Sequence, residues 1–133
     1  MKQAIVVTGA LGFLGSHVLD AILAQTLHEH YTIIALIRPG TKESRKQPYT
    51  DQVTFLECDL TKPTITQFLA ETKKIHQIAT VIHLAAIVQL RGQSKEEVFS
   101  VNLHRTQELA DYCLQNDIRL MFCSSVGVFG AIP

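Results

Sequence analysis

Tryptophan is absent from this chain, cysteine occurs three times and proline four times, and no long run of like charge appears. Cys58, Cys113 and Cys123 lie in or beside apolar segments with no C-x-x-C pairing. That excludes a disulfide framework or a zinc ribbon and predicts buried free thiols. The six histidines show no ligand spacing, so no metal is expected. Twelve Lys plus Arg balance twelve Asp plus Glu, which leaves no basic stripe for nucleic acid. The apolar run after Lys2 stops at Gly9, too short for a signal segment or a bilayer span. A cytoplasmic protein with no membrane partner is expected.

What is present is one domain's worth of core: 133 residues, 47% of them hydrophobic. Residues 1–133 are therefore read as one unit, organised around Ala4-Ile5-Val6-Val7-Thr8-Gly9-Ala10-Leu11-Gly12-Phe13-Leu14-Gly15. An apolar strand runs there into three glycines at three-residue spacing and then into a helix. A diphosphate needs backbone N–H groups at a helix N-terminus, and a Cβ would hold it off. Gly9 turns the chain out of the strand, Gly12 lets backbone approach phosphate, and Gly15 lets the helix pack closely on the sheet. Three glycines alone could mark only a tight turn; the strand before and the helix after favour a dinucleotide site.

Leu14, Val18, Leu19, Ile22 and Leu23 keep helical spacing, predicting one buried face on a helix that ends near His28 to His30. Ile33 to Ile37 is a continuous apolar run, as in a strand buried on both faces. From Arg38 to Gln52 the chain is polar and broken by Pro39, Gly40 and Pro48, which predicts a surface loop with room for a short helix. Val53 to Cys58 reads as a third strand, and Pro63 to Lys74 as a helix begun by Thr61 or Thr64, with Ile65, Phe68 and Leu69 inside. Thr80 to Ala86 reads as a fourth strand. A helix from about Lys95 to Gln115 follows, its stripe Val98, Asn102, Thr106, Leu109 and Cys113 placing Asn102 on the buried side. Arg119 to Cys123 makes a fifth strand, then Ser124-Ser125 and a short tail through Gly130 to Pro133. Apolar strands alternating with helices predict an α/β, three-layer αβα, doubly wound parallel sheet of Rossmann type in the order 3-2-1-4-5.

In such a sheet the carboxyl ends of the strands line one crevice, so Gly9, Arg38, Asp59, Ala85 and Ser125 should converge on one ligand. Arg38 stands where a nicotinamide enzyme has either an acid for the adenosine ribose or a base for a 2′-phosphate. With Lys42, Arg45 and Lys46 following, phosphate is favoured over a merely solvated strand-end arginine. Asp59 could accept from an adenine amino group or cap the next helix. Ala85 and Ala86 leave room for a ribose or nicotinamide ring, or serve close packing. His83, mid-strand among apolar residues, reads as a hydrogen-bonded core histidine. Asn102 is either tied to backbone or holds something near the site, since an unpaired amide there would cost about 1–3 kcal/mol. Ser125 could polarise a substrate carbonyl or hydroxyl, or simply form a turn.

Together these residues resemble the extended short-chain dehydrogenase/reductase family, the NAD(P)-dependent epimerases, dehydratases and reductases, over nearly the whole chain. Thr8 to Gly15 resembles T-G-x-x-G-x-x-G; Asp59-Leu60 an adenine-binding pair; His83-Leu84-Ala85-Ala86 the strand-4 signature; Val101-Asn102 with Thr106 the V-N-x-x-G-T segment; and Ser124 to Gly130 resembles S-S-x-x-V-Y-G. The resemblance implies a nicotinamide cofactor bound by Gly9, Gly12, Phe13, Leu14, Gly15, Arg38, Asp59, Leu60, Leu84, Ala85, Ala86 and Asn102, with Ser125 as the catalytic serine. By Arg38 it is similar to NADP-using reductases, so NADP(H) is expected and NAD(H) is the alternative. Arg105 stands in place of the glycine before Thr106 and Phe129 in place of a common tyrosine. The family's Tyr-x-x-x-Lys acid/base is not in this sequence: none of Tyr31, Tyr49 and Tyr112 has a lysine four positions later.

Three readings follow. The chain is the dinucleotide-binding portion of an oxidoreductase, epimerase or dehydratase, catalytically incomplete by itself; or a non-catalytic NADP(H)-binding module; or an α/β domain whose glycine loop binds nothing tightly. The first is preferred because Ser125 and its turn are kept. A small-molecule substrate is implied without its class, homo-oligomerisation stays open, and apolar surface is expected to lie exposed along strand 5.

Overall fold

A computed structural model describes residues 2–88 and 92–130; the tail expected through Pro133 runs into residues outside these. Five parallel strands form one sheet: β1 (Gln3–Thr8), β2 (Thr32–Ile37), β3 (Val53–Glu57), β4 (Gln77–His83) and β5 (Arg119–Phe122), in the order β3-β2-β1-β4-β5. This is the expected doubly wound order. Helices α1 (Phe13–Ala24), α2 (Leu27–His30), α3 (Glu43–Lys46), α4 (Ile65–Ile75), α5 (Lys95–Phe99) and α6 (Thr106–Gln115) fill the connections. Among the described residues no helix is long and apolar enough to cross a membrane.

Successive strand residues point to opposite faces, so an apolar run feeds two cores at once. Ala4, Val6, Ile34 and Leu36 pack with Ile65 and Leu69 of α4 and with Leu109 and Cys113 of α6. Ile5, Val7, Ile33 and Ala35 pack with Leu19 and Ile22 of α1. The chain moves outward from β1 to β3 with helices on one face, then returns to β4 and β5 with helices on the other. The reversal opens a crevice between β1 and β4 at the strands' carboxyl ends.

Several boundaries depart from the sequence reading. Helix α1 stops at Ala24 because Thr26 turns left-handed (φ 54°), and α2 is a separate single turn that lets Leu27 pack on the α1 core. Leu14, expected inside, is about half exposed at the helix start. Strand β4 is Gln77–His83 rather than 80–86: its pairing with β1 ends at Thr8 opposite His83, where the glycine turn removes the partner, while a register shift between Ala4 and Ile5 extends the pairing back to Gln77. Strands β3 and β5 each end one residue early. Thr64 does precede α4, but without a side-chain cap, whereas Ser94 caps α5 in a reciprocal bond with Glu97. The long helix from Lys95 carries a π segment, Ser100–Arg105, in its middle. Arg105 is buried there, its Nε donating to Ser100 O at 3.3 Å and its Nη1 lying 3.2 Å from Glu108 Oε2. Cys58 and Cys113 are buried as expected, but Cys123 is exposed beyond the end of β5. The edge strand β5 is only partly covered: Met121 and Phe122 are exposed, as are Val126, Val128 and Phe129 after it.

Gly15 faces the turn itself rather than the sheet. A Cβ on Gly15 would lie 2.0 Å from Gly9 O and 2.7 Å from Ala10 C, whereas one on Gly12 would meet only Gly9 O at 3.2 Å. Gly15→Ala should therefore cost roughly 3 kcal/mol or more and lower the thermal midpoint sharply, while Gly12→Ala leaves a cooperative transition near the parent's. Differential scanning calorimetry of both variants checks this; equal midpoints would contradict it.

Candidate functional site

Thr8 ends β1 and Gly9 turns out of it with φ +64°, so closely that a Cβ there would sit 2.7 Å from Ala85 N and 2.9 Å from Leu84 C. The glycine turn therefore rests on the Leu84–Ala85 peptide. The Gly12 amide closes the loop onto Gly9 O at 3.0 Å, and α1 begins at Phe13 with no side-chain cap from Gly12 and no acidic residue in its first turn. The amides and the positive dipole end of a twelve-residue helix thus face a cavity of about 520 Å³.

Gly9, Gly12, Phe13, Leu14 and Gly15 line the cavity on the loop side. Arg38 lines it from the end of β2, Asp59 and Leu60 from the end of β3, and Leu84, Ala85 and Ala86 from the exit of β4. The sequence-derived convergence thus holds for Gly9, Arg38, Asp59 and Ala85. It fails for Ser125, which is outside the lining; its Oγ accepts from Gly127 N at 3.1 Å and caps the short turn Val126–Phe129. Asn102 is also outside the lining. Its Oδ1 accepts from Ile87 N at 2.7 Å and its Nδ2 donates to Ile87 O at 2.8 Å, so it holds the chain leaving β4 by both backbone groups.

Asp59 does not cap the next helix, whose N-cap position is Thr64; its Oδ1 instead closes a local turn, accepting from Thr61 N at 3.0 Å and Thr61 Oγ1 at 2.7 Å. Those bonds hold the carboxyl below the usual carboxylate range, with smaller help from the charges of Lys62 and Arg38. Burial, with the Asp59 charge, pushes the neighbouring Cys58 thiol up, so it is not a ready nucleophile. The basic stretch after β2 resolves into different roles. Lys46 pairs with Glu43, whereas Arg45 lines the cavity and its Nη2 donates to Leu11 O. In the sequence Arg45 is one of several nearby cations; what singles it out is its place on the one-turn helix α3, facing the glycine loop. Thr41 joins the same wall, its Oγ1 donating to Arg38 O at 2.6 Å.

His83 is the buried, hydrogen-bonded core histidine expected: Nδ1 lies 2.7 Å from Thr8 Oγ1, Nε2 lies 2.9 Å from Thr106 Oγ1, and Phe122 stacks on the ring at 5.7 Å. Burial pushes its pKa down to about 4.

Residues 5–133 match the model of the NAD dependent epimerase/dehydratase family. The chain is 30% identical to 3 beta-hydroxysteroid dehydrogenase type 7 of Rattus norvegicus over 93% of its own length, but spans only 36% of that protein. Among solved structures it is similar to L-threonine dehydrogenase of Clostridium difficile (24% identity, TM-score 0.74, 95% of this chain and 37% of that one). It is similar as well to dTDP-glucose 4,6-dehydratase of Bacillus anthracis in complex with NAD (20% identity, TM-score 0.76, 98% and 40%). At these identities the two structures show the shared fold.

Because His83 resists protonation in the native state, the unfolded chain takes up a proton that the folded chain refuses between the ordinary histidine value of 6.5 and about 4. Stability should therefore fall as pH drops through that window, by about 2–4 kcal/mol in all, and the effect is complete below it. Urea unfolding at several pH values should show this slope in the parent and its loss in His83→Leu; an unchanged slope would assign it to another group.

Proposed function

The chain belongs to the NAD dependent epimerase/dehydratase family, and from that premise we propose that the crevice between β1 and β4 holds a nicotinamide dinucleotide, NADP(H) in preference to NAD(H). The chain is then the dinucleotide-binding portion of an oxidoreductase, epimerase or dehydratase. The observation that carries this is the start of α1: an uncapped helix N-terminus with no acidic residue in its first turn, lining a cavity that Arg38 and Arg45 also line. In the proposal the amides at Phe13 and Leu14 meet the diphosphate. The Asp59 carboxylate and Leu60 lie beside adenine, with Oδ2 left to accept from its amino group. Arg38 and Arg45 meet the 2′-phosphate as fork-shaped donors, and Leu84, Ala85 and Ala86 give a flat apolar wall to the ribose and nicotinamide. A dinucleotide so held supplies hydride transfer.

Ser125 is the residue proposed for substrate polarisation, and it is the weak point of the catalytic reading. Its place outside the cavity lining favours the second reading, a non-catalytic NADP(H)-binding module.

Arg38→Ala should weaken NADP(H) binding about tenfold or more while changing NAD(H) binding little, as calorimetry with both cofactors would show. Tighter NAD(H) binding by the parent would overturn the NADP(H) preference. The 133-residue chain should also show no measurable turnover of NADPH over a panel of ketones and nucleotide sugars. The sequence has no Tyr-x-x-x-Lys, and acid–base groups typically contribute about 10²–10⁴ in rate. Turnover comparable to that of full-length family members would reveal a catalytic group within these residues.

A further inference from the structure

The Thr8 hydroxyl has more partners than a strand-end threonine needs. Its Oγ1 receives both the Leu84 and the Ala85 amides, each at 3.2 Å, and lies 2.7 Å from His83 Nδ1. A hydroxyl has two lone pairs and one proton, so with an amide at each lone pair its proton must point at Nδ1. Nδ1 is then a bare acceptor, and the ring proton sits on Nε2, which donates to Thr106 Oγ1 at 2.9 Å. The tautomer is thus fixed by its neighbours, and the ring plane is held against Phe122.

We infer that His83, locked as the Nε2–H tautomer between Thr8 and Thr106, is a positioning residue for the crevice. It aims the Thr8 lone pairs at the Leu84 and Ala85 amides and so fixes the spacing between the glycine turn and the β4 exit, the two walls between which the dinucleotide lies. The inference rests on the dinucleotide reading of the crevice. Beyond the Thr8–His83 pair β4 has lost its β1 partner: toward β1 Leu84 N reaches Thr8 O at 3.3 Å, and on the other side Cys123 N reaches His83 O at 3.3 Å. Two side chains hold this exit: Thr8 grips Leu84 and Ala85, and Asn102 grips Ile87. Gly9 is already packed on the Ala85 peptide at the limit of contact, so a shift of Ala85 moves the loop as well. Without an acceptor at Nδ1 the hydroxyl must find one elsewhere by rotating off one of the amides. A residue that merely filled the core would do so as well as leucine.

The experiment compares His83→Leu, which keeps bulk and loses both bonds, with His83→Asn, whose Oδ1 can stand in for Nδ1 toward Thr8. Val81→Ala, on the same strand but outside the relay, controls for lost stability. For each, the unfolding midpoint, the amide NMR shifts of Gly9, Leu84 and Ala85, and the NADPH and NADH dissociation constants are measured. The ring nitrogen signals are measured on the free parent. Expected are a protonated Nε2 and bare Nδ1, displaced amides with roughly tenfold weaker dinucleotide binding in His83→Leu, and binding within about threefold of the parent in His83→Asn and Val81→Ala. An Nδ1–H tautomer, an Asn variant as damaged as the Leu variant, or affinity that simply tracks stability through Val81→Ala would overturn the inference. A parent that binds neither dinucleotide refutes the dinucleotide reading, while the tautomer and amide shifts still decide the positioning role. Should His83→Leu not fold, the parent tautomer and His83→Asn decide it.

Discussion

The contact between the Gly9 turn and the Leu84–Ala85 peptide is the constraint on which the rest of the crevice depends. At 2.7–2.9 Å from a hypothetical Cβ, it admits only glycine, and the positive φ at the same position demands glycine independently. Two consequences follow from this one approach. It ends the β1–β4 ladder, because the chain after Thr8 leaves the sheet plane, and it brings the start of α1 to the carboxyl end of the central strand. The same turn needs Gly15 as a second small residue, since the first turn of α1 lies directly on Gly9 O and Ala10. Gly12 is the least confined of the three, since a Cβ there would meet only Gly9 O, at 3.2 Å.

Electrostatics around the crevice follow the same division between structural and available groups. Asp59 is largely consumed by Thr61, and Lys46 by Glu43, so a count of charges overstates what a ligand would feel. Arg38 and Arg45 line the cavity from β2 and α3, and Arg45 touches the glycine loop through Leu11 O. A solvent-exposed cation contributes little by itself, but Arg38 and Arg45 line the same cavity as the positive end of α1, so three positive elements face one space.

The strand order and both cores were legible in the sequence because each apolar run is short and the connections are long, a pattern few other arrangements can satisfy. The site residues at strand ends were legible for the same reason: topology places them without any knowledge of side chains. Boundaries set by tertiary partners were not legible. The run 80–86 is as apolar as a strand, and only the departure of β1 at Gly9 ends it at His83. The π segment at Ser100–Arg105 has no local composition signal, yet Asn102 and Thr106, four residues apart, reach Ile87 and His83 from that stretch of helix. The place of Arg45 is not legible in the sequence because it depends on how the loop after β2 folds back, and that loop is anchored by contacts remote in sequence, such as Tyr49 Oη donating to Asp20 Oδ1 at 2.9 Å.

Packing is uneven in a way that bears on function. Strands β1 and β2 are buried almost throughout, so the part of the crevice built from the glycine loop and Arg38 stands on the most protected elements of the fold. Strand β5 has one sheet neighbour and exposed apolar side chains, and the turn carrying Ser125 follows it with Val126, Val128 and Phe129 in solvent. A serine that is to act on a substrate must be held to within a fraction of an ångström, which a lightly packed edge and an exposed turn do not provide. Any catalytic use of Ser125 therefore calls for apolar surface laid over β5 and its turn, and that covering would have to direct the hydroxyl, whose proton is not used by the bond from Gly127 N, toward the cavity.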